Sequence, residues 1–88
     1  MRAQQNKIMK RIYLLEVFFS FDGVEYEYKF SRIYSSDKEM KDRIKHWEDR
    51  YRYTISSKTE EETIYVTESD NFYKLRISSP FMNHNVFF

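Results

Sequence analysis

The sequence predicts an α+β domain: an antiparallel β-sheet of four to five strands with one helix packed on one face, in the order ββα followed by ββ or βββ. Three observations carry that prediction. A turn dipeptide, Asp22-Gly23, sits between two aromatic runs in FFSFDGVEYEYKF (18–30). A capped amphipathic segment follows at 36–51. Two further β-rich segments, TIYVT (63–67) and FYKLRIS (72–78), flank the turn-forming cluster ESDN. Runs of strands around a single helix, without βαβ alternation, point to an antiparallel sheet and not to a parallel one.

The first hairpin rests on Asp-Gly, the dipeptide that fits a type I′ turn because both central residues need positive φ. A two-residue loop sets Phe21 opposite Val24, Phe19 opposite Tyr26, Val17 opposite Tyr28 and Leu15 opposite Phe30. All four pairs then share a face, since side chains alternate along a strand. The reverse face pairs Glu16 with Lys29 and Phe18 with Glu27, and places Ile33 opposite Ile12.

Ser36 reads as a helix N-cap and Glu39 as its capping-box partner, because a serine oxygen can accept from the N3 amide while the glutamate returns to the cap. From Asp37 to about Arg50 the apolar residues Met40, Ile44, Trp47 and Tyr51 recur at spacings of four, three and four. That stripe is helical and should lie on the aromatic face of the hairpin. YRYTIS (51–56) switches to period two and reads as a short strand, and KTEEE (58–62) as a polar connection. A four-residue ESDN loop sets Val66 against Tyr73 and Ile64 against Leu75, leaving Tyr65 beside Lys74 on the outside.

The first strand is apolar on both sides, with Ile12, Leu14 and Phe18 on its second face. One helix covers one face, so these residues await either the C-terminal tail or a partner. The tail PFMNHNVFF (80–88) follows the only proline and is rich in apolar residues. The chain therefore divides into a basic N-terminal arm (1–10), an α+β domain (11–79) and an apolar tail (80–88).

The chain has 88 residues, enough for one small domain that buries roughly 60–65% of its unfolded surface. With no cysteine, disulfides and thiolate metal sites are excluded. Fifteen basic and 14 acidic side chains leave a formal charge of +1, which argues against both an acidic DNA mimic and a strongly cationic nucleic-acid binder. The opening MRAQQNKIMKR has no apolar run for a signal peptide, and IYLLEVFF is too short to cross a bilayer. A cytoplasmic location without membrane contact is the expectation. Eight Phe and eight Tyr beside one Gly and one Pro suit an AT-rich genome such as that of a phage or mobile element.

No catalytic constellation stands out. His46 and His84 have no second ligand at metal spacing, and TEEET lacks the glycine turn of a calcium loop. With Gly23 committed to a hairpin, no phosphate-cradling loop remains. No catalytic residue, cofactor or metal is therefore expected. What remains is surface: Phe18, Tyr65, Phe81, Phe87 and Phe88 as aromatic anchors, and Lys38, Lys41, Lys45 and Arg52 as a basic helix flank. Aromatic anchors among mixed charges suit a protein partner. The leading expectation is a non-enzymatic protein-binding module, an inhibitor or adaptor occluding a host or nucleic-acid-processing protein, with homodimerisation a further use of the same patch. The alternative is an RNA- or DNA-binding protein using the basic flank and the N-terminal arm.

Overall fold

The computed structural model describes residues 9–83. Seven strands and one helix follow in chain order: β1 (Met9–Arg11), β2 (Tyr13–Ser20), β3 (Glu27–Tyr34), α1 (Asp37–Tyr51), β4 (Thr54–Lys58), β5 (Glu62–Val66), β6 (Phe72–Ser78) and β7 (Phe81–Asn83). β2 to β6 form one antiparallel sheet of five strands in the spatial order β3-β2-β6-β5-β4. With α1 across one face this is a single α+β domain of order ββαβββ, as the sequence predicts.

The helix follows from its cap and its stripe. The Ser36 hydroxyl accepts from the Glu39 amide at 3.1 Å, and extended backbone at Ser36 (φ −145°, ψ 154°) turns the chain into the first turn. The Glu39 carboxylate reaches back one residue further than a capping box requires, accepting from both the amide and the hydroxyl of Ser35. At the other end Arg52 adopts the left-handed conformation (φ 54°), and its amide donates to the Glu48 carbonyl at 2.8 Å. The chain thus leaves the helix at Tyr51 and resumes as a strand only at Thr54.

The core lies between α1 and one face of the sheet. Leu15, Val17, Met40, Tyr65 and Leu75 are buried, with Ile44 and Trp47 packed against them. Trp47 is central to the aromatic part of this layer, its ring edge-on to Tyr65 at 4.9 Å and to Tyr53 at 5.5 Å. Tyr53 in turn stacks on both Tyr51 and Tyr73. Edge-to-face and offset contacts of this kind add to the burial of the rings themselves.

Both hairpin registers differ from those the sequence suggests, and in each case the turn is the reason. Between β2 and β3, Val17 pairs with Phe30 and Leu14 with Ile33, two positions beyond the predicted partners. The Asp22 carboxylate does not sit in a tight two-residue turn. It accepts from the Val24 amide (2.8 Å), the Glu25 amide (3.1 Å) and the Ser20 hydroxyl (2.9 Å), closing a wider loop over residues 21–26. Gly23 takes positive φ (+79°), with Phe72 packed against it. A bulge between Val17 and Phe18 then moves Tyr28 to the reverse face, where it pairs with Phe18.

Between β5 and β6 the slip is one residue, which exchanges the faces of the strand. Tyr65 pairs with Tyr73 and Ile64 with Lys74. Asp70 adopts the left-handed conformation (φ +62°), and the Thr67 amide already donates to the Asn71 carbonyl. The chain therefore reverses over three residues, 68–70, and not four. Tyr65 belongs to the core, at 1% exposure, and the expectation of an outward ring beside Lys74 is corrected.

β1 and β7 prolong the β2–β6 pair. Arg11 pairs with Phe81, three steps from Leu14–Ser78 in the same register, and the Ile12 amide donates to the Pro80 carbonyl at 3.0 Å. Pro80 has no amide hydrogen to return, and there the ladder breaks. The two short strands pair only with each other. The start of the predicted tail is thus a strand partner for Met9–Arg11, and neither covers the reverse face of the sheet. Residues 1–8 and 84–88 lie outside the described residues.

Candidate functional site

Alternation in β2 sends Leu15 and Val17 toward the helix and Leu14, Glu16 and Phe18 to the reverse face. Their cross-strand partners follow: Ile33, Ser31 and Tyr28 from β3, and Ser78, Arg76 and Lys74 from β6. β5 adds Glu62, Ile64 and Val66, opposite Arg76, Lys74 and Phe72. No described helix or strand lies over this surface. Ile33 stays 63% exposed beside Leu14 and Tyr28 53% exposed beside Phe18, with the polar row Ser31, Glu16, Arg76 and Glu62 between the two pairs.

Both cations on this face, Arg76 and Lys74, lie against aromatic rings. The Arg76 guanidinium donates to Glu62 at 2.9 Å while lying 5.2 Å from the centre of the Phe18 ring. The Lys74 ammonium sits 4.2 Å above the Tyr26 ring and 5.8 Å from Phe18. Cations over aromatic faces keep their stems on the rings and their heads toward water. Partial burial, followed by the nearby Asp22 and Glu62 carboxylates, raises the Tyr26 phenol above its ordinary pKa and keeps it neutral. The result is a surface of rings interleaved with cations, in which Phe18 lies beside Tyr28, Lys74 and Arg76.

Of the sequence-predicted anchors, Phe18 is on this open face and Tyr65 is in the core. Phe81 is in β7. Phe87 and Phe88 lie outside the described residues, as does His84. The predicted basic flank is not a row of free charges. Lys38 pairs with Asp42 (2.7 Å), Lys41 with Asp37 (3.1 Å) and Lys45 with Asp49 (3.7 Å), each one helical turn apart. Arg52 is outside the helix at its left-handed cap, so it does not continue the row. Glu48, one helical turn before Arg52, accepts from the Tyr65 hydroxyl.

Sequence reasoning placed Ile33 on the face of Phe18 but missed Tyr28 and Tyr26 as its neighbours. Period-two alternation was available as the signal, but the group becomes visible only with the true hairpin register. Among the described residues no group of three or more His, Cys, Asp or Glu could hold a metal ion. None of the described helices is long and apolar enough to cross a membrane. No protein-family model, no curated protein and no solved structure matches the chain.

Proposed function

We propose that this chain is a non-enzymatic protein-binding module that acts by stoichiometric occlusion of a partner protein, as an inhibitor or adaptor does. The observation that carries the reading is the uncovered face of the sheet. Leu14, Phe18, Tyr28, Ile33, Ile64 and Val66 share it, and no described element lies across them. A small monomer gains little from leaving such a surface in water, because burying apolar area is worth about 25 cal/mol per Å². Arg76 and Glu62 on the face are paired with each other, so a partner can cover them without stranding either ion. Rigid rings of the Phe18–Tyr28 type supply contact area at low entropic cost, which suits binding anchors.

The test is affinity capture with the wild-type chain, with Phe18→Ala/Ile33→Asp, and with Lys38→Gln/Lys45→Gln as a control on the helix. The proposal requires a stoichiometric protein partner that the face variant loses and the helix variant keeps, with nuclease treatment making no difference. Light scattering across concentrations runs alongside. A partner retained equally by all three proteins would refute the assignment to this face, and capture abolished by nuclease would refute the protein-partner reading.

A further inference from the structure

The front of the sheet carries a second surface with a different chemistry. α1 lies over the centre of the sheet and leaves a groove of about 510 Å³ along its β3 side. Arg32 enters the groove from β3, and Arg43, His46 and Arg50 from the helix. No Asp or Glu lines it. The spacing explains why: residues 43, 46 and 50 follow one flank of a helix, while the acids that pair with the lysines lie round the outer side and opposite flank.

These arginines have kept their charge free of carboxylates. Among the described residues Arg32, Arg43 and Arg50 make no ion pair. Arg43 is one helical turn from Glu39, but that carboxylate is turned back onto the amide and hydroxyl of Ser35. Arg32 lies over the Phe30 ring at 5.4 Å and Arg50 over the Tyr51 ring at 5.6 Å. Phe30 and Tyr51 are each about half exposed, and Trp47 also reaches the groove.

We infer that this groove is a binding site for single-stranded nucleic acid, with the arginines on phosphates and the exposed Phe30 and Tyr51 rings against bases. Guanidinium groups recognise phosphate through paired N–H donors, and a planar ring accepts any base by stacking. A single strand has its base faces free, whereas a duplex hides them in its own stack. An acidic peptide satisfies the arginines but leaves the exposed rings without a planar partner, so the interleaving of rings with guanidiniums favours the oligonucleotide. The site is on the opposite side of the sheet from Phe18 and does not depend on the protein-binding face.

Trp47 is the only tryptophan in the chain and gives the assay its reporter. A labelled oligothymidylate or oligouridylate of about 12 nucleotides, a length within the range of known single-strand sites, is titrated at several salt concentrations. Three phosphate contacts give a log–log salt slope of about −2, and a base seated on Tyr51 quenches Trp47, whose ring lies 5.4 Å from that of Tyr51. Arg43→Gln/Arg50→Gln should weaken binding by roughly tenfold or more and bring the slope near −0.7, while Lys38→Gln/Lys45→Gln should change neither. Circular dichroism of each variant establishes that the fold is retained. No binding at low salt, a slope unchanged in the arginine variant, or tighter binding of oligoglutamate than of the oligonucleotide would each overturn the inference.

Discussion

Tyr65 and its neighbour Ile64 provide the sharpest test of the fold, because a one-residue change of register exchanges their environments. Tyr65 is 1% exposed, edge-on to Trp47 at 4.9 Å, and its hydroxyl donates to the Glu48 carboxylate. Tyr65→Phe keeps the ring and removes the bond. A hydrogen bond to a charged group is worth about 1.5–3 kcal/mol, and Glu48 can recover part of this from water, so the expected loss is about 1–2 kcal/mol. For a domain of this size that lowers the thermal midpoint by roughly 5–15 °C. Tyr65→Ala should cost about 3–5 kcal/mol, a large part of a total stability of about 5–15 kcal/mol. Ile64→Thr, on the open face, should cost less than about 1 kcal/mol. The assay is urea unfolding of each variant, followed by Trp47 fluorescence. Alkaline titration gives a second reading. Burial, and then the Glu48 carboxylate, push the Tyr65 phenol well above its ordinary value near 10. The folded state thus favours the protonated ring: its contribution is complete below pH 10 and is lost as pH rises beyond that. Tyr65→Phe should lack this part of the alkaline loss. A neutral Tyr65→Phe beside an Ile64→Thr variant weakened by 2 kcal/mol or more would refute the register and return Tyr65 to the surface.

Three further substitutions test the turns and caps. Gly23→Ala places a Cβ 2.9 Å from the Phe72 ring at a φ of +79°, and should cost about 1–2 kcal/mol from the backbone conformation alone, read by urea midpoint. Arg52→Gly relieves a left-handed non-glycine cap and should stabilise the protein by about 1 kcal/mol in thermal unfolding; a loss of stability would mean that Arg52 continues the helix. Asp22→Ala removes the acceptor of the Val24 and Glu25 amides and of the Ser20 hydroxyl. The Val24 amide first, then the Glu25 amide and the Ser20 hydroxyl, hold its carboxyl below the ordinary value of 3.8, so its stabilisation exists above that pH and is lost as pH falls below it. The melting difference between wild type and variant should be wide at pH 6 and narrow at pH 2.5; a gap that is constant with pH would refute the role of the charge.

What the sequence made legible was periodic. Met40, Ile44, Trp47 and Tyr51 face one way on any helix built from those residues, and Ser36 can cap nothing else nearby. Leu15 and Val17 share a face in any strand. The β5 segment was ambiguous for a related reason: Ile64, Tyr65 and Val66 are apolar in succession, so either parity offers a hydrophobic face and the pattern does not choose. Asp70 chooses, by taking a left-handed conformation that shortens the turn. At the first hairpin, Asp22 prefers three hydrogen bonds in a wide loop to a tight turn at Asp-Gly, and Phe21 is left outside the sheet.

The candidate surfaces divide in the same way. An apolar reverse face carrying Leu14 and Phe18 follows from alternation alone, and those residues are not in the interior with Trp47. Ile33 belongs to that face in either register, whereas Tyr28 joins it only through the bulge. The row Lys38, Lys41, Lys45 is as visible in the sequence as the row Arg43, His46, Arg50, and composition ranks neither first. The i,i+4 pairs Asp37–Lys41 and Lys45–Asp49 can be read from spacing, but only in three dimensions does Glu39 turn away from Arg43.

Local order along the chain therefore determined the helix, the strands and the two-sided character of β2, because side-chain direction repeats with a period set by the backbone. Tertiary structure decided which residues stand opposite one another and which charges are left unpaired. Those outcomes hang on single turn residues and on carboxylates choosing between near-equal partners, and such choices are settled by distance in space.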